Sequence, residues 1–150
     1  MSYEIQYRLL TDTEKELFYK DFINFLAVHG ISGEEWERIK KDDKHQMMLM
    51  FAQFSDLVIH KSLLNIKYAY KLDEETIVLT KFGDSSFNIL SIPNNNEFKV
   101  EDAEAFLKAN AKLEGIIELP YPEKGREKYI FQLTGLDGYI PCDNKLWDFI

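Results

Sequence analysis

The stretch from Lys44 to Lys61, KHQMMLMFAQFSDLVIHK, limits the possible folds more than any other part of the chain. At helical spacing its apolar side chains cover an arc of roughly 220°. Met47, Met50, Phe51, Phe54, Leu57 and Val58 form the middle of that arc, and Met48, Ala52 and Ile59 widen it. An arc this wide cannot be buried against one surface, so the pattern predicts a central helix touched on two sides. Gln46, Gln53, Asp56 and His60 gather on the strip that remains.

The residues before it read as helices. Thr11 followed by Glu14 is a capping box, in which a hydroxyl accepts from a free backbone amide and a carboxylate reaches back. It opens a helix running to about Val28, with Phe18, Phe22, Phe25 and Leu26 on one face and Gly30 as its left-handed stop. Ser32 and Glu35 form a second box before a short helix with Trp36 and Ile39 inward. Asp42 or Asp43 can cap the central helix.

After Ser62 the period drops from about 3.6 to 2. Leu64 to Leu72 alternates as a half-buried strand, and Thr76 to Phe82 and Phe87 to Ile92 follow, giving an antiparallel meander. Glu101 to Leu113 returns to helical spacing. Ile116 to Leu119 and Lys128 to Leu133 read as two further strands. The apolar end, Leu146 to Ile150, is expected to dock on the body.

At 150 residues, 45% hydrophobic and 14% aromatic, the chain can bury a core without staples. Its formal net charge of -8 argues against nucleic acid and anionic membrane as partners and fits a basic protein better. The single cysteine, Cys142, rules out an internal disulfide and a multi-cysteine metal site. The start of the chain lacks the pattern of a signal peptide, and no apolar run is long enough to span a membrane. A cytoplasmic location is therefore expected.

Gln53, Asp56 and His60 are the most suggestive polar set. Their spacing puts them on one strip of the central helix, and Asp56 can pair with His60 one turn on. Facing a cleft, they could bind a polar ligand or do acid–base work; facing water, they are a solvated strip. Trp36, Met47, Tyr68 and Tyr70 could form a partner surface, although core packing needs the same residue types. His29, His45 and His60 lack metal-ligand spacing, and no metal or cofactor is expected. Cys142 has no sequence-adjacent base, so a small packing residue describes it better than a nucleophile.

Phe82-Gly83-Asp84-Ser85-Ser86 resembles the Gly-Asp-Ser block of a hydrolase superfamily. That block leads into a helix and needs a histidine near the C-terminus. Here a strand follows, and no histidine lies beyond His60. A hairpin turn accounts for the same residues.

Tyr7-Arg8-Leu9-Leu10-Thr11, Glu14, Phe22-Ile23-Asn24-Phe25-Leu26, Gly30-Ile31, Trp36, Ile39-Lys40 and Phe54-Ser55-Asp56-Leu57-Val58 carry a wider likeness. In the order of these signals, from Tyr7 to about Leu133, the chain resembles short bacterial proteins, chiefly from Bacteroidetes, grouped as a domain of unknown function. The resemblance implies a bacterial cytosolic origin and brings no activity, ligand or catalytic residue.

The expected fold is one α+β domain over residues 1–150: an N-terminal three-helix unit packed on a mostly antiparallel sheet of about five strands, with one further helix. The expected function is non-enzymatic binding or regulation through a protein partner. The alternative is a small-molecule-binding protein or enzyme using the Gln53, Asp56 and His60 strip.

Overall fold

The computed structural model describes residues 3–93, 116–143 and Trp147. They fall into two compact units, residues 1–61 and 62–150, with the boundary inside one long helix. Helices come first and an antiparallel sheet follows, so the fold is α+β.

In the first unit, α1 (Asp12–Leu17) begins with a complete capping box: Thr11 Oγ1 accepts from the Glu14 amide, and Glu14 accepts from the Thr11 amide. The single helix expected up to Val28 is broken at Phe18, where φ is -103° and ψ 19°, and α2 (Tyr19–Val28) follows. The ladder survives the break, because Phe18 N–H still reaches Glu14 O and Phe22 N–H reaches Phe18 O. α2 ends as the glycine pattern predicts. Gly30 has φ 74°, and the amides of Gly30 and Ile31 bond back to the carbonyls of Ala27 and Leu26.

Ser32 caps α3 (Gly33–Asp42) by accepting from the Glu35 amide, while the Glu35 carboxylate turns to Arg38 instead of closing the box. Trp36 and Ile39 are buried on its inner face. Asp43 then accepts from the Gln46 amide and starts α4 (Lys44–Asn65).

The rings of Phe22, Phe25, Trp36, Phe51 and Phe54 make the core here, with Phe22 5.0–5.1 Å from Trp36, Phe51 and Phe54. A second surface of α4 is covered by the N-terminal residues, as described below. Within this unit α4 is thus touched on two sides, by the aromatic cluster and by the N-terminal segment.

α4 is four residues longer than expected and takes up Leu64 and Asn65, so the first strand starts later, at Tyr68. Helical spacing puts Leu63 one turn beyond Ile59, and both are buried, whereas Leu64 is 42% exposed. An alternating strand would have turned Leu64 inward.

The sheet contains β1 (Tyr68–Leu72), β2 (Thr76–Phe82), β3 (Ser86–Pro93), β4 (Ile116–Pro120) and β5 (Ile140–Cys142), in the order β4-β3-β2-β1-β5. All pairings are antiparallel, with Tyr70 opposite Leu79, Leu79 opposite Leu90 and Leu90 opposite Ile116. Ile77, Leu79, Leu90 and Ile92 form the buried centre of one face, and Tyr70, Ile116, Cys142 and Trp147 pack against it. Trp147 also donates its indole N–H to Thr80 O, so this residue of the tail docks on the sheet.

One assignment changes type. Residues 128–133, expected as a strand, belong to helix α5 (Arg126–Gly135). The run Tyr129-Ile130-Phe131 suggests a strand, but the buried residues are Arg126, Ile130 and Leu133, the single face of a helix. Gly125, at φ 98°, makes the entry turn. The fifth strand is instead the short Ile140–Cys142 in the tail. The helix expected at Glu101 to Leu113 lies outside the described residues.

Candidate functional site

The strip of α4 singled out in the sequence is engaged by the start of the chain. Asp56, 6% exposed, accepts three hydrogen bonds: from the Tyr3 hydroxyl (2.7 Å) and the Gln6 amide (2.7 Å) at Oδ2, and from the Tyr7 amide (2.9 Å) at Oδ1. Next to it, Ser55 Oγ accepts from the Leu10 amide at 3.0 Å, not from within its own helix turn. His60 Nδ1 shares a hydrogen bond of 2.9 Å with the Tyr7 hydroxyl. Asp56 and His60 therefore each hold the N-terminal segment and do not pair with one another. Partial burial, and then the Asp56 carboxylate, push the Tyr3 phenol up to about 12. Gln53 is half-buried on the same side of the helix.

A carboxylate with both oxygens occupied by backbone amides and a phenol is an anchor. It satisfies two amides that no strand or helix ladder serves. The residues that anchor, Tyr3 and Tyr7, gave no signal in the sequence, since their partners lie 53 residues away.

A concave feature lies elsewhere on this unit. Lys15 of α1, Tyr19 and Phe22 of α2, Trp36 and Lys40 of α3, and Phe51 and Phe54 of α4 line a cavity of about 200 Å³. Trp36 meets Phe51 and Phe22 edge-on, while Phe22 stacks on Phe51, so the floor is aromatic. Tyr19, 63% exposed, forms an open wall. Lys15 Nζ sits 4.7 Å above the Phe51 ring, and Lys40 pairs with Glu37 at 2.9 Å. One turn along α2 from Tyr19, Ile23 is 41% exposed. The sequence signal for this wall is an excess: α2 carries more apolar side chains than its one buried face can take.

Of the proposed partner-surface residues, Trp36 lines this cavity, Met47 is half-buried on α4, and Tyr68 and Tyr70 are half-buried in β1. Trp36 and Met47 lie in the first unit and Tyr68 and Tyr70 in the second, where Tyr70 packs on the sheet core.

In the second unit, burial and then Asp143 push the Cys142 thiol up to about 11. It borders a wide depression with Asn65, Lys67, Tyr68 and Asp143. Ser85 is exposed in the β2–β3 hairpin. Gly83 is needed there for space: a Cβ on it would lie 2.8 Å from Ser86 O. His29 bonds to Phe25 O and His60 to Tyr7, both within the first unit. Among the described residues no three His, Cys, Asp or Glu side chains are grouped to hold a metal, and no helix is long and apolar enough to cross a membrane.

Arg126, a charged residue among other charges in the sequence, is 9% exposed and donates to three carbonyls: Gly83 O (3.2 Å), Leu63 O (3.2 Å) and Ile66 O (2.7 Å). Leu63 and Ile66 flank the end of α4, so the guanidinium meets the negative end of that helix. Tyr121 also donates to Gly83 O, at 2.6 Å.

With this geometry in place, the chain can be set beside known proteins. A family model described as a family of unknown function, DUF6495, matches residues 5–150. The chain belongs to this family. The DUF6495 match begins within the anchoring segment and continues past Leu133, where the resemblance read from the sequence stopped, to residue 150. No curated protein and no solved structure matches the chain.

Proposed function

We propose that this protein is a non-enzymatic binding or regulatory protein that acts through a protein partner, and that it docks the partner at the aromatic cavity of residues 1–61. The observation that supports this reading is the cavity itself, walled by aromatic rings and open beside the exposed Tyr19 and Ile23 of α2. Aromatic side chains that are partly exposed around a pocket are the usual anchoring points of protein interfaces. At about 200 Å³ the space takes one side chain, below the roughly 300–1,000 Å³ of most small-molecule sites. The apolar stripe beside it suits a larger partner than a metabolite.

The Gln53, Asp56 and His60 strip gives less support to the alternative of a small-molecule site or enzyme, because Asp56 is already filled by Tyr3, Gln6 and Tyr7. An acid–base role needs a carboxylate that can reach substrate.

The test is affinity capture from native extract with the intact chain and with a Tyr19→Ser/Ile23→Ser variant. Both positions are exposed, so circular dichroism and melting should match wild type. A protein retained by wild type and lost by the folded variant supports the reading. Equal retention by both, or no enrichment over an unrelated acidic protein, refutes it.

A further inference from the structure

The net charge of -8 favours a basic partner for the chain as a whole, but the charged side chains that line the aromatic cavity have the opposite sign. The ionisable side chains lining it are Lys15, Lys40 and the Tyr19 phenol. An aromatic-walled pocket would by itself welcome a cation. Here one ring face is already taken by a cation of the chain, with Lys15 Nζ 4.7 Å above Phe51. A second cation entering the space would meet two ammonium groups.

The nearby acids do not cancel this. Asp12 lies 3.8 Å from Lys15 and is fully exposed, and Glu37, which pairs with Lys40 at 2.9 Å, has a side chain 63% exposed. Exposed pairs one turn apart are weak and easily exchanged. An incoming carboxylate can exchange for these acids on the same ammonium groups, making charge-assisted hydrogen bonds of its own. The volume sets the other half of the ligand. A dry cavity of about 150 Å³ accommodates benzene, so about 200 Å³ holds one phenyl or branched aliphatic group.

We infer that the cavity selects an apolar side chain with a carboxylate beside it, so that the docked element of the partner is an acidic, aromatic- or leucine-bearing segment of a protein. This rests on the docking reading above and adds the sign of the charge. Shape comes from the Phe22, Trp36, Phe51 and Phe54 floor, and sign comes from Lys15 and Lys40 on two different helices.

The test uses the full ¹⁵N-labelled chain and three probes that share a phenyl ring: 3-phenylpropanoate, 3-phenylpropan-1-ol and 3-phenylpropylamine. Amide shifts are followed by titration. The carboxylate should bind about tenfold or more tighter than the amine, with shifts centred on α1 to α3 and the Phe51 turn of α4. A Lys15→Gln/Lys40→Gln variant, altered only at partly exposed positions, should lose the preference and keep the affinity for the alcohol. Raising the salt from about 0.05 M to about 0.5 M should weaken the carboxylate alone. If the alcohol binds at the cavity but the amine matches or exceeds the carboxylate, the charge inference falls and the docking site stands. If none of the three shifts these amides, both fall.

Discussion

Replacing Asp56 separates an anchoring carboxylate from a catalytic one. The side chain accepts from the Tyr3 hydroxyl and the Gln6 and Tyr7 amides, and is 6% exposed. A hydrogen bond to a charged group contributes about 1.5–3 kcal/mol when well shielded. Gln6 and Tyr3 are themselves exposed, so water can replace part of what they lose, and the low end applies. Three bonds at about 1.5 kcal/mol each then suggest a loss of about 4–5 kcal/mol for Asp56→Ala. Asp56→Asn is the sharper test. Its single oxygen can keep the two donors at one position, but its NH₂ group must face the remaining amide, donor against donor, for a cost of about 2 kcal/mol. The Leu10 bond to Ser55 should survive in both variants, so the segment loosens from Leu9 outward and does not leave altogether. Urea unfolding gives the stability change, and amide hydrogen exchange should accelerate at Gln6 and Tyr7 with little change at Leu10. A loss below about 0.5 kcal/mol with unchanged exchange at Gln6 and Tyr7 would refute the anchor and return Asp56 to the acid–base candidates.

Three more outcomes follow from the geometry. Arg126→Ala removes all three carbonyl contacts and should cost about 3 kcal/mol in urea unfolding; Arg126→Lys, a point donor in place of a fork, should recover less than half. Glu14 is held down to about 2 from an ordinary 4.5, first by the Arg8 guanidinium and then by the Thr11 amide. Because its folded value is depressed, its stabilisation is complete above pH 4.5 and lost as pH falls towards 2; with Arg8 and Glu14 side chains 46% and 29% exposed, it should amount to under about 1 kcal/mol and vanish in Glu14→Gln. The Cys142 thiol, pushed up from 9.0 to about 11, should react with a disulfide reagent at pH 8 about 100-fold more slowly in the folded chain than in urea, and equal rates would contradict its burial.

Local features of this protein were legible in the sequence because each depends on residues within one or two turns. The Thr11 and Ser32 caps, the Gly30 stop and an aspartate start of α4 at Asp42 or Asp43 follow from side chains reaching amides three residues on, or from a conformation that glycine adopts at low cost. The meander was legible from the alternation that leads up to Leu72 and from the two apolar runs, Thr76 to Phe82 and Phe87 to Ile92, set off by turn residues, since successive side chains of a strand point to opposite faces.

What tertiary structure alone decided involves partners far apart in the chain. Tyr129-Ile130-Phe131 has strand composition, and only the burial of Arg126, Ile130 and Leu133 on one side makes it helical. The sequence puts Asp56 on the polar strip of α4, but whether that strip meets water or another segment depends on amides 49 and 50 residues away. Arg126, charged and near other charges in the sequence, is buried because carbonyls 43 to 63 residues distant converge on it. The cavity is of the same kind: four helices each contribute one or two side chains to it, and no single helix carries its pattern. A buried polar group is stable only where such distant partners meet it, and a linear pattern records the group but not the meeting.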